Sequence, residues 1–245
     1  MHNVWSVASK DFENIKRRKS LLIGIAAFPL LLSIAFPDIV QNQVAQGIQN
    51  GGFPANLPFG LESLSFFFVV LAAILPGSIA AYSVVGEKVE KSLEPLLATP
   101  LTDGEILLGK GITALVPPII ATWAGATIFM ALSNYILYSG FSIYFFPEWD
   151  SGIMLLLLAP LAGVFSIELT VIVSSRVNDV RSATQISTLM FIPFMGVFLA
   201  AVTGSYTFSI ASLLIFAVIL LVADVALFFV STSTFSREGI LTKWK

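Results

Sequence analysis

Apolar residues along the chain gather into six long runs, and short polar segments separate them. The runs lie at about 20–36, 61–85, 108–137, 152–174, 184–203 and 209–231. An α-helix rises 1.5 Å per residue, so about 20 apolar residues cross a hydrocarbon core about 30 Å thick. The pattern predicts an all-α integral membrane protein with six transmembrane helices, organised as a single domain over residues 1–245.

The lysines and arginines, 13 in all, occur only in alternate connecting segments. They precede the first run, lie between the second and third and between the fourth and fifth, and follow the sixth. The other connections, at 37–60, 138–151 and 204–208, contain none. Cytoplasmic loops carry an excess of Lys and Arg. We therefore expect both termini to be cytoplasmic, in a multi-pass protein of the cell membrane.

The composition limits which chemistry the chain can perform. Hydrophobic residues make up 56% of it and charged residues 11%, whereas soluble domains carry about 25% charged residues. There is no cysteine, and the one histidine is His2, which excludes thiolate metal sites and Ser–His or Cys–His nucleophiles. We expect no catalytic residue, no cofactor and no metal site in this chain, and a basic N-terminus that is not a cleaved signal peptide.

One stretch, GEILLGKG at residues 104–111, is similar in spacing to a nucleotide-binding P-loop. A P-loop follows a buried strand and places Ser or Thr after its lysine to bind magnesium. Here Pro100 makes a preceding strand unfavourable, and Gly111 stands in the hydroxyl position. The apolar LLVAD at 220–224, which imitates a second magnesium-binding strand, lies within the sixth run. We therefore expect no nucleotide site here.

The same stretch is better explained as the start of a helix. TDGE, at Thr102–Glu105, matches a capping box, in which the Thr and Glu side chains each bond the other's backbone N–H. Lys110 then lies within two turns of the interface, where its side chain can extend to lipid headgroups. Gly109 and Gly111 can allow close approach of another helix.

The preceding segment, GEKVEKSLEPLLATP, also has a helical pattern. Val89, Leu93, Leu96 and Leu97 share one face, although Pro95 interrupts the helix or kinks it. A helix between two spans on the cytoplasmic side lies flat on lipid or docks on a protein. Its glutamates favour a protein, because an anionic leaflet attracts basic residues.

The order and spacing of residues from Glu87 to Lys110 closely resemble those of the permease subunits of type-2 ATP-binding cassette (ABC) transporters. The resemblance implies that residues 86–107 form a cytoplasmic coupling helix that docks on a separate ATPase subunit, where ATP and magnesium bind. The implied contact residues are Glu87, Glu90, Leu93, Glu94, Leu96, Leu97, Thr99 and Pro100. It further implies a dimer with a second copy or a paralogue, transport in the export direction, and no nucleic-acid partner.

Two other segments are similar to the same family. VWSVASKDFENIKRRKS resembles its N-terminal interfacial helix, covering residues 1–19 here, and residues 174–193 resemble its short cytoplasmic turn into the fifth span. The chain departs from many members between the fifth and sixth spans, where only GSYTF is found in place of a larger outer segment, unless part of 194–212 is re-entrant. The resemblance therefore implies no substrate class.

The N-terminal segment also has an interpretation of its own. Trp5, Ala8, Phe12 and Ile15 recur on one face, and a basic amphipathic helix of this kind lies in the interface plane. We expect the interfacial anchors to be Trp5, Phe12, Arg17 and Arg18. The alternative is that the segment serves only as a positive topology signal.

The loops without basic residues fit the outer side. Residues 37–60 are polar, with a short helix expected around 38–48. Residues 138–149 are rich in Tyr, Phe and Trp, which favours anchoring at the headgroup level over a substrate-entry surface.

Two acidic residues, Glu168 and Asp224, lie deep within the fourth and sixth runs. Carboxylates in the membrane are costly and usually mark ion or substrate paths. The alternatives are a structural pairing with Lys110 or Arg176, or a protonated carboxyl facing another helix. The two acids also support a rival to the ABC permease, namely a self-contained ion- or proton-coupled carrier.

Overall fold

The computed structural model describes residues 2–89, 101–174, 177 and 179–234, and the regular elements in these ranges are helices. The α-helices are α1 His2–Arg17, α2 Lys19–Gln49, α3 Leu57–Val89, α4 Asp103–Phe141, α5 Trp149–Ile153, α6 Ala159–Ser174, α7 Val180–Thr188, α8 Ile192–Val202 and α9 Ile210–Thr234. A π-helical turn, Met154–Leu158, joins α5 to α6, and a 3₁₀ turn, Leu189–Phe191, joins α7 to α8.

Within the described residues, six helical stretches are long and apolar enough to cross a membrane, which confirms the predicted number. We call them the first to sixth spans: Lys19–Gln49, Leu57–Gly86, Gly104–Phe141, Trp149–Ser174, Val180–Val202 and Ile210–Thr232. The side of the membrane on which the termini lie stays a prediction.

The first span is longer than the sequence predicts. Its expected end near residue 36 is wrong, because the helix continues through Pro29 and Pro37 to Gln49. The short helix expected around 38–48 is part of this continuation. Packing explains it: Val40 and Val44 are buried in the core that the first span shares with the third, and neighbouring helices let membrane helices tolerate proline.

The third span also extends beyond its predicted limits of 108–137. Thr102 caps it: the Thr102 hydroxyl accepts from the backbone N–H of Glu105 at 3.3 Å, and the Glu105 carboxylate accepts from the backbone N–H of Thr102 at 2.9 Å. The capping box predicted from TDGE is thereby confirmed. The span ends at Phe141, where Ser142 adopts a left-handed conformation.

The second span is the central helix of the bundle and packs against the first, third, fourth and fifth spans. Its phenylalanines Phe66 and Phe68 are fully buried. The sixth span instead exposes large apolar side chains such as Val222 and Phe229. Exposed apolar side chains of this size suit a surface that faces lipid.

Glycines mark the closest helix crossings. A Cβ atom at Gly125 of the third span would lie 2.8 Å from the Pro29 carbonyl oxygen of the first. A Cβ atom at Gly77 of the second span would lie 2.5 Å from the Ser166 hydroxyl of the fourth. Small residues at such positions let membrane helices approach closely.

The π-helical turn in the fourth span is stabilised by the third span. In this turn the Ala159 N–H bonds the carbonyl of Met154, five residues back. The carbonyl of Leu155 would pair in the same way with residue 160, but Pro160 has no N–H. The indole N–H of Trp123 donates to the Leu155 carbonyl at 2.7 Å. The Trp123 side chain thereby supplies the hydrogen bond that the Leu155 carbonyl lacks because of the π-helical turn and Pro160.

The aromatic loop after the third span divides between surface and core. Tyr138, Tyr144 and Trp149 are exposed, as headgroup-level anchors require, but Phe146 is buried against Phe129. The loop is held by Asn134, whose side chain accepts from the N–H groups of residues 145 and 146 and donates to the carbonyl of residue 146. The expectation that the whole loop lies at the interface is therefore wrong for Phe146.

Candidate functional site

Most of the coupling segment lies outside the described residues. This holds for Glu90, Leu93, Glu94, Leu96, Leu97, Thr99 and Pro100. Glu87 lies in the last turn of α3, but its side chain is not among those described. The predicted contact with an ATPase therefore stays a prediction. The structure does describe the helices on either side of the segment, α3 and α4, and a third helix that packs beside them.

That third helix is α1, which is joined to the second and third spans by a buried polar cluster. The Lys110 ammonium of the third span lies 3.2 Å from the Asp11 carboxylate of α1, and both side chains are buried. Lys110 also donates to the Ser83 hydroxyl at 3.0 Å, and that hydroxyl donates to Asp11 at 3.1 Å. We call these three residues the Asp11 cluster. It connects three elements at the end of the bundle where the coupling segment begins and ends.

The expectation that Lys110 reaches lipid headgroups is wrong. Its side chain is 3% exposed and is directed into the Asp11 cluster. Sequence reasoning did not find Asp11, but a signal exists, because Val7, Asp11 and Ile15 recur every four residues and are all buried. An acid at the middle position of an otherwise apolar stripe indicates a buried cation opposite it.

The face of α1 that packs on the protein differs from the predicted apolar face. Ala8 and Ile15 are buried as parts of it, but Trp5 is 64% exposed and Phe12 is only partly buried. Trp5 is therefore free to insert into lipid, and its role as an anchor stays a prediction. Arg17 is exposed, whereas the guanidinium of Arg18 lies 4.2 Å from the centre of the Tyr82 ring and contacts the second span.

Gly109 allows α1 to approach the third span. A Cβ atom there would lie 2.8 Å from the Val7 Cβ and 3.0 Å from the Val4 carbonyl oxygen. One turn further on, the Thr113 hydroxyl contacts the Ala8 carbonyl oxygen at 3.3 Å. The prediction of close approach is confirmed for Gly109. It is wrong for Gly111, where a Cβ atom would meet no atom within 4 Å.

The fourth and sixth spans bring Glu168 and Asp224 together inside the bundle. Their exposed fractions are 8% and 5%, and they are close enough to interact electrostatically. One oxygen of Glu168 and both oxygens of Asp224 have no hydrogen-bond partner in the described part of the chain. Pairing of Glu168 with Lys110 is contradicted, since Lys110 binds Asp11, and Arg176 lies outside the described residues. Two buried carboxyl groups so placed can each be protonated, or can hold a cation between them.

Three acidic residues lie close together at the other end of the second span, and the sequence alone does not bring them together. Glu62 interacts electrostatically with Glu148 and Asp150, which belong to the start of the fourth span and the loop before it. Burial, and secondarily the charge of Asp150, raises the pKa of Glu148 above its ordinary value. The sequence separation of Glu62 from the other two conceals this proximity.

The segment similar to a cytoplasmic turn forms α7, which enters the fifth span. The Asp179 carboxylate caps it by accepting from the Ser182 backbone N–H at 2.9 Å and from the Ser182 hydroxyl at 3.0 Å. These hydrogen bonds favour the charged form and lower the pKa of Asp179. Ala183 of α7 packs on Ala81 and Val85 of the second span, so the second span contacts α7 near the same end as the Asp11 cluster.

Comparison with known proteins identifies relatives for most of the chain. Residues 5–210 match the family model described as "ABC-2 family transporter protein". The chain is also similar to a probable ABC transporter permease protein, NosY, of Stutzerimonas stutzeri. The two are 29% identical over 200 residues, which cover 81% of this chain and 68% of the relative.

Proposed function

Because this chain belongs to the ABC-2 family of transporter proteins, we propose that it is the permease subunit of an ATP-binding cassette exporter. In this proposal the chain forms the substrate path and is driven by a separate cytoplasmic ATPase. The observation that carries the proposal is the family match, which includes the predicted coupling segment and five of the six spans.

The family and the six apolar helices together make the chain a multi-pass protein of the plasma membrane. ATP and magnesium would bind and react only in the ATPase subunit. A second copy of this chain, or a paralogue, would complete the substrate path as a homo- or heterodimer.

The helices that flank the coupling segment could transmit a movement of the ATPase to the membrane spans. Closure of the ATPase subunits would press on residues 86–107, which lead directly into the long helices of the second and third spans. The Asp11 cluster would make α1 move with these spans, since Ser83 and Lys110 belong to one span each. Rigid-body movement of packed helices could then switch the substrate path between its two faces.

Charge changes in the coupling segment test the proposal. The chain is reconstituted with its ATPase, and ATP hydrolysis and transport are measured for Leu93→Asp and for Glu94→Arg. Both variants should insert normally but lose transport and the stimulation of ATPase activity, because a charge would be buried or reversed at the docking surface. Asn42→Arg is the matched control, since Asn42 is exposed at the opposite end of the first span. Full coupling in both variants would show that this segment is not the coupling element.

The rival carrier makes a different prediction. An ion-coupled transporter using Glu168 and Asp224 would move solute with the purified chain alone in liposomes under an ion gradient. We propose that it will not do so, and that transport will require the ATPase and ATP. Gradient-driven transport by the chain alone would replace the permease proposal with the carrier.

A further inference from the structure

A small cavity opens on the side of the bundle between the third, fourth and sixth spans. Its volume is about 160 Å³. Its lining is apolar except for one carboxylate, Glu168, and one hydroxyl, Ser231. Leu108 and Ile112 of the third span lie on it and are partly exposed on the bundle surface. The cavity therefore opens sideways, towards the lipid that surrounds the spans.

The wall formed by the sixth span continues to the second buried acid. Phe228 and Ser231 line the cavity, and Asp224 lies four residues before Phe228 and seven before Ser231, so the three share one helical face. Asp224 is close enough to Glu168 to interact with it electrostatically. The cavity thus reaches Glu168 directly, and Asp224 lies deeper on the helix that forms this wall. One oxygen of Glu168 and both oxygens of Asp224 have no hydrogen-bond partner among the described residues.

The positive charge of Lys110 does not neutralise Glu168 and Asp224. Lys110 precedes Gly111, a cavity residue, but its ammonium is directed to Asp11 and Ser83. An isolated carboxylate buried in an apolar environment is strongly unfavourable, and such groups are protonated or matched by a cation. A cation in the cavity would supply the missing counter-charge.

The dimensions select the kind of cation. Pockets for drug-sized ligands measure about 300–1,000 Å³, so this cavity accommodates only a small group. Its apolar walls suit methyl or methylene groups around a positive charge, and its open side would let an attached alkyl chain remain in lipid.

We propose that this cavity binds the ammonium group of a single-chain cationic amphiphile, with the carboxylates of Glu168 and Asp224 as counter-charges. The proposal deepens the proposed function, on which it rests, because it identifies such an amphiphile as a transported substrate. The molecule would reach the site from the lipid through the open side of the cavity, without passing through water.

Equilibrium binding of radiolabelled hexyltrimethylammonium to the full chain tests the site. The chain is placed in micelles of dodecyl maltoside, an uncharged detergent, so that no anionic lipid competes for the cation and no lipid ammonium group competes for the site. The wild type should bind the probe saturably, and hexanol, a neutral molecule with the same alkyl chain, should not compete. Glu168→Gln and Asp224→Asn should each weaken binding by about tenfold or more, the effect of losing one close charged partner.

Matched variants separate a local effect from a folding defect. Glu62→Gln removes a carboxyl from the far end of the second span and should leave binding unchanged. Glu168→Asp keeps the charge and should bind more tightly than Glu168→Gln, even if both lower the stability of the chain. Absence of saturable binding to the wild type, as expected of carboxyl groups that are only protonated, overturns the proposal. Binding that survives both Glu168→Gln and Asp224→Asn overturns it equally.

The same preparations distinguish this inference from the proposed function. The chain could assemble with the ATPase and transport another solute at the expense of ATP, yet fail to bind hexyltrimethylammonium. That result would overturn the inference and leave the proposed permease function intact. Binding that depends on the two acids, with no assembly with an ATPase, would contradict the proposed function and the role of the amphiphile as its substrate.

Discussion

Removing the acid from the Asp11 cluster should release α1 from the bundle. In Asp11→Ala, Lys110 keeps Ser83 as a partner but loses a carboxylate at 3.2 Å. At an effective dielectric constant of about 20, that distance corresponds to an attraction of about 5 kcal/mol. Breaking a buried pair by removing one partner costs about 3–5 kcal/mol, because the remaining charge stays buried after losing the opposite charge that offset its desolvation.

The double variant Asp11→Leu/Lys110→Met provides the comparison. Replacing a buried ion pair with apolar residues of similar size is often neutral, since the desolvation cost disappears together with the attraction. The double variant should therefore be close to the wild type, and Asp11→Ala should be far less stable. Glu13→Ala, an exposed position on the same helix, should have no effect.

Cysteine labelling measures whether α1 is docked. The chain has no cysteine, so Val7→Cys introduces a single thiol at a position that is buried against the third span. Its reaction with a maleimide requires α1 to separate from the bundle. A cost of about 3 kcal/mol would raise the labelling rate by up to roughly a hundredfold. All three chains carry Val7→Cys. Equal labelling rates with Asp11 intact and with Asp11→Ala, or a rate in Asp11→Leu/Lys110→Met as fast as in Asp11→Ala, would refute the reasoning.

Three further perturbations have defined outcomes. Gly109→Ala should lower the melting temperature and expose α1 to protease, because its Cβ would collide with α1, whereas Gly111→Ala should do neither. Trp123→Phe should cost about 1–3 kcal/mol in thermal or denaturant unfolding, because it leaves a carbonyl unpaired, while exposed Trp149→Phe should cost little. Glu148→Gln should stabilise the chain at neutral pH. The pKa of the Glu148 carboxyl is raised in the folded chain, so the wild type loses stability as the pH rises through that pKa. The gain should vanish below about pH 4, and a gain independent of pH would contradict this explanation.

Local patterns predicted the features that depend on neighbouring residues. Runs of apolar residues are sufficient to indicate six spans, because the thickness of the bilayer sets their length. The capping box at Thr102 was predictable because both partners lie within one helical turn. The alternation of basic residues predicts the orientation in the same way.

Features that depend on distant residues were missed. The first span continues past Pro37 because Val40 and Val44 pack in the core it shares with the third span, and no local rule reveals that contact. Asp11 and Lys110 are 99 positions apart, so the local sequence predicts an interfacial lysine and gives no sign of the buried pair. The two deep acids are each visible in the sequence, but only the packing of the fourth and sixth spans shows that they are close enough to interact electrostatically.

The central claim is that a separate ATPase drives this chain through residues 86–107. Site-specific crosslinking tests it directly, because Leu93→Cys places a single thiol in a chain that has none. In the assembled complex, a short bifunctional reagent should join this residue to a cysteine on the ATPase surface, with a yield that changes when ATP is added. Asn42→Cys, at the other end of the first span, should form no such crosslink. An assembled complex in which Leu93→Cys forms no crosslink to the ATPase, with or without ATP, would contradict the account.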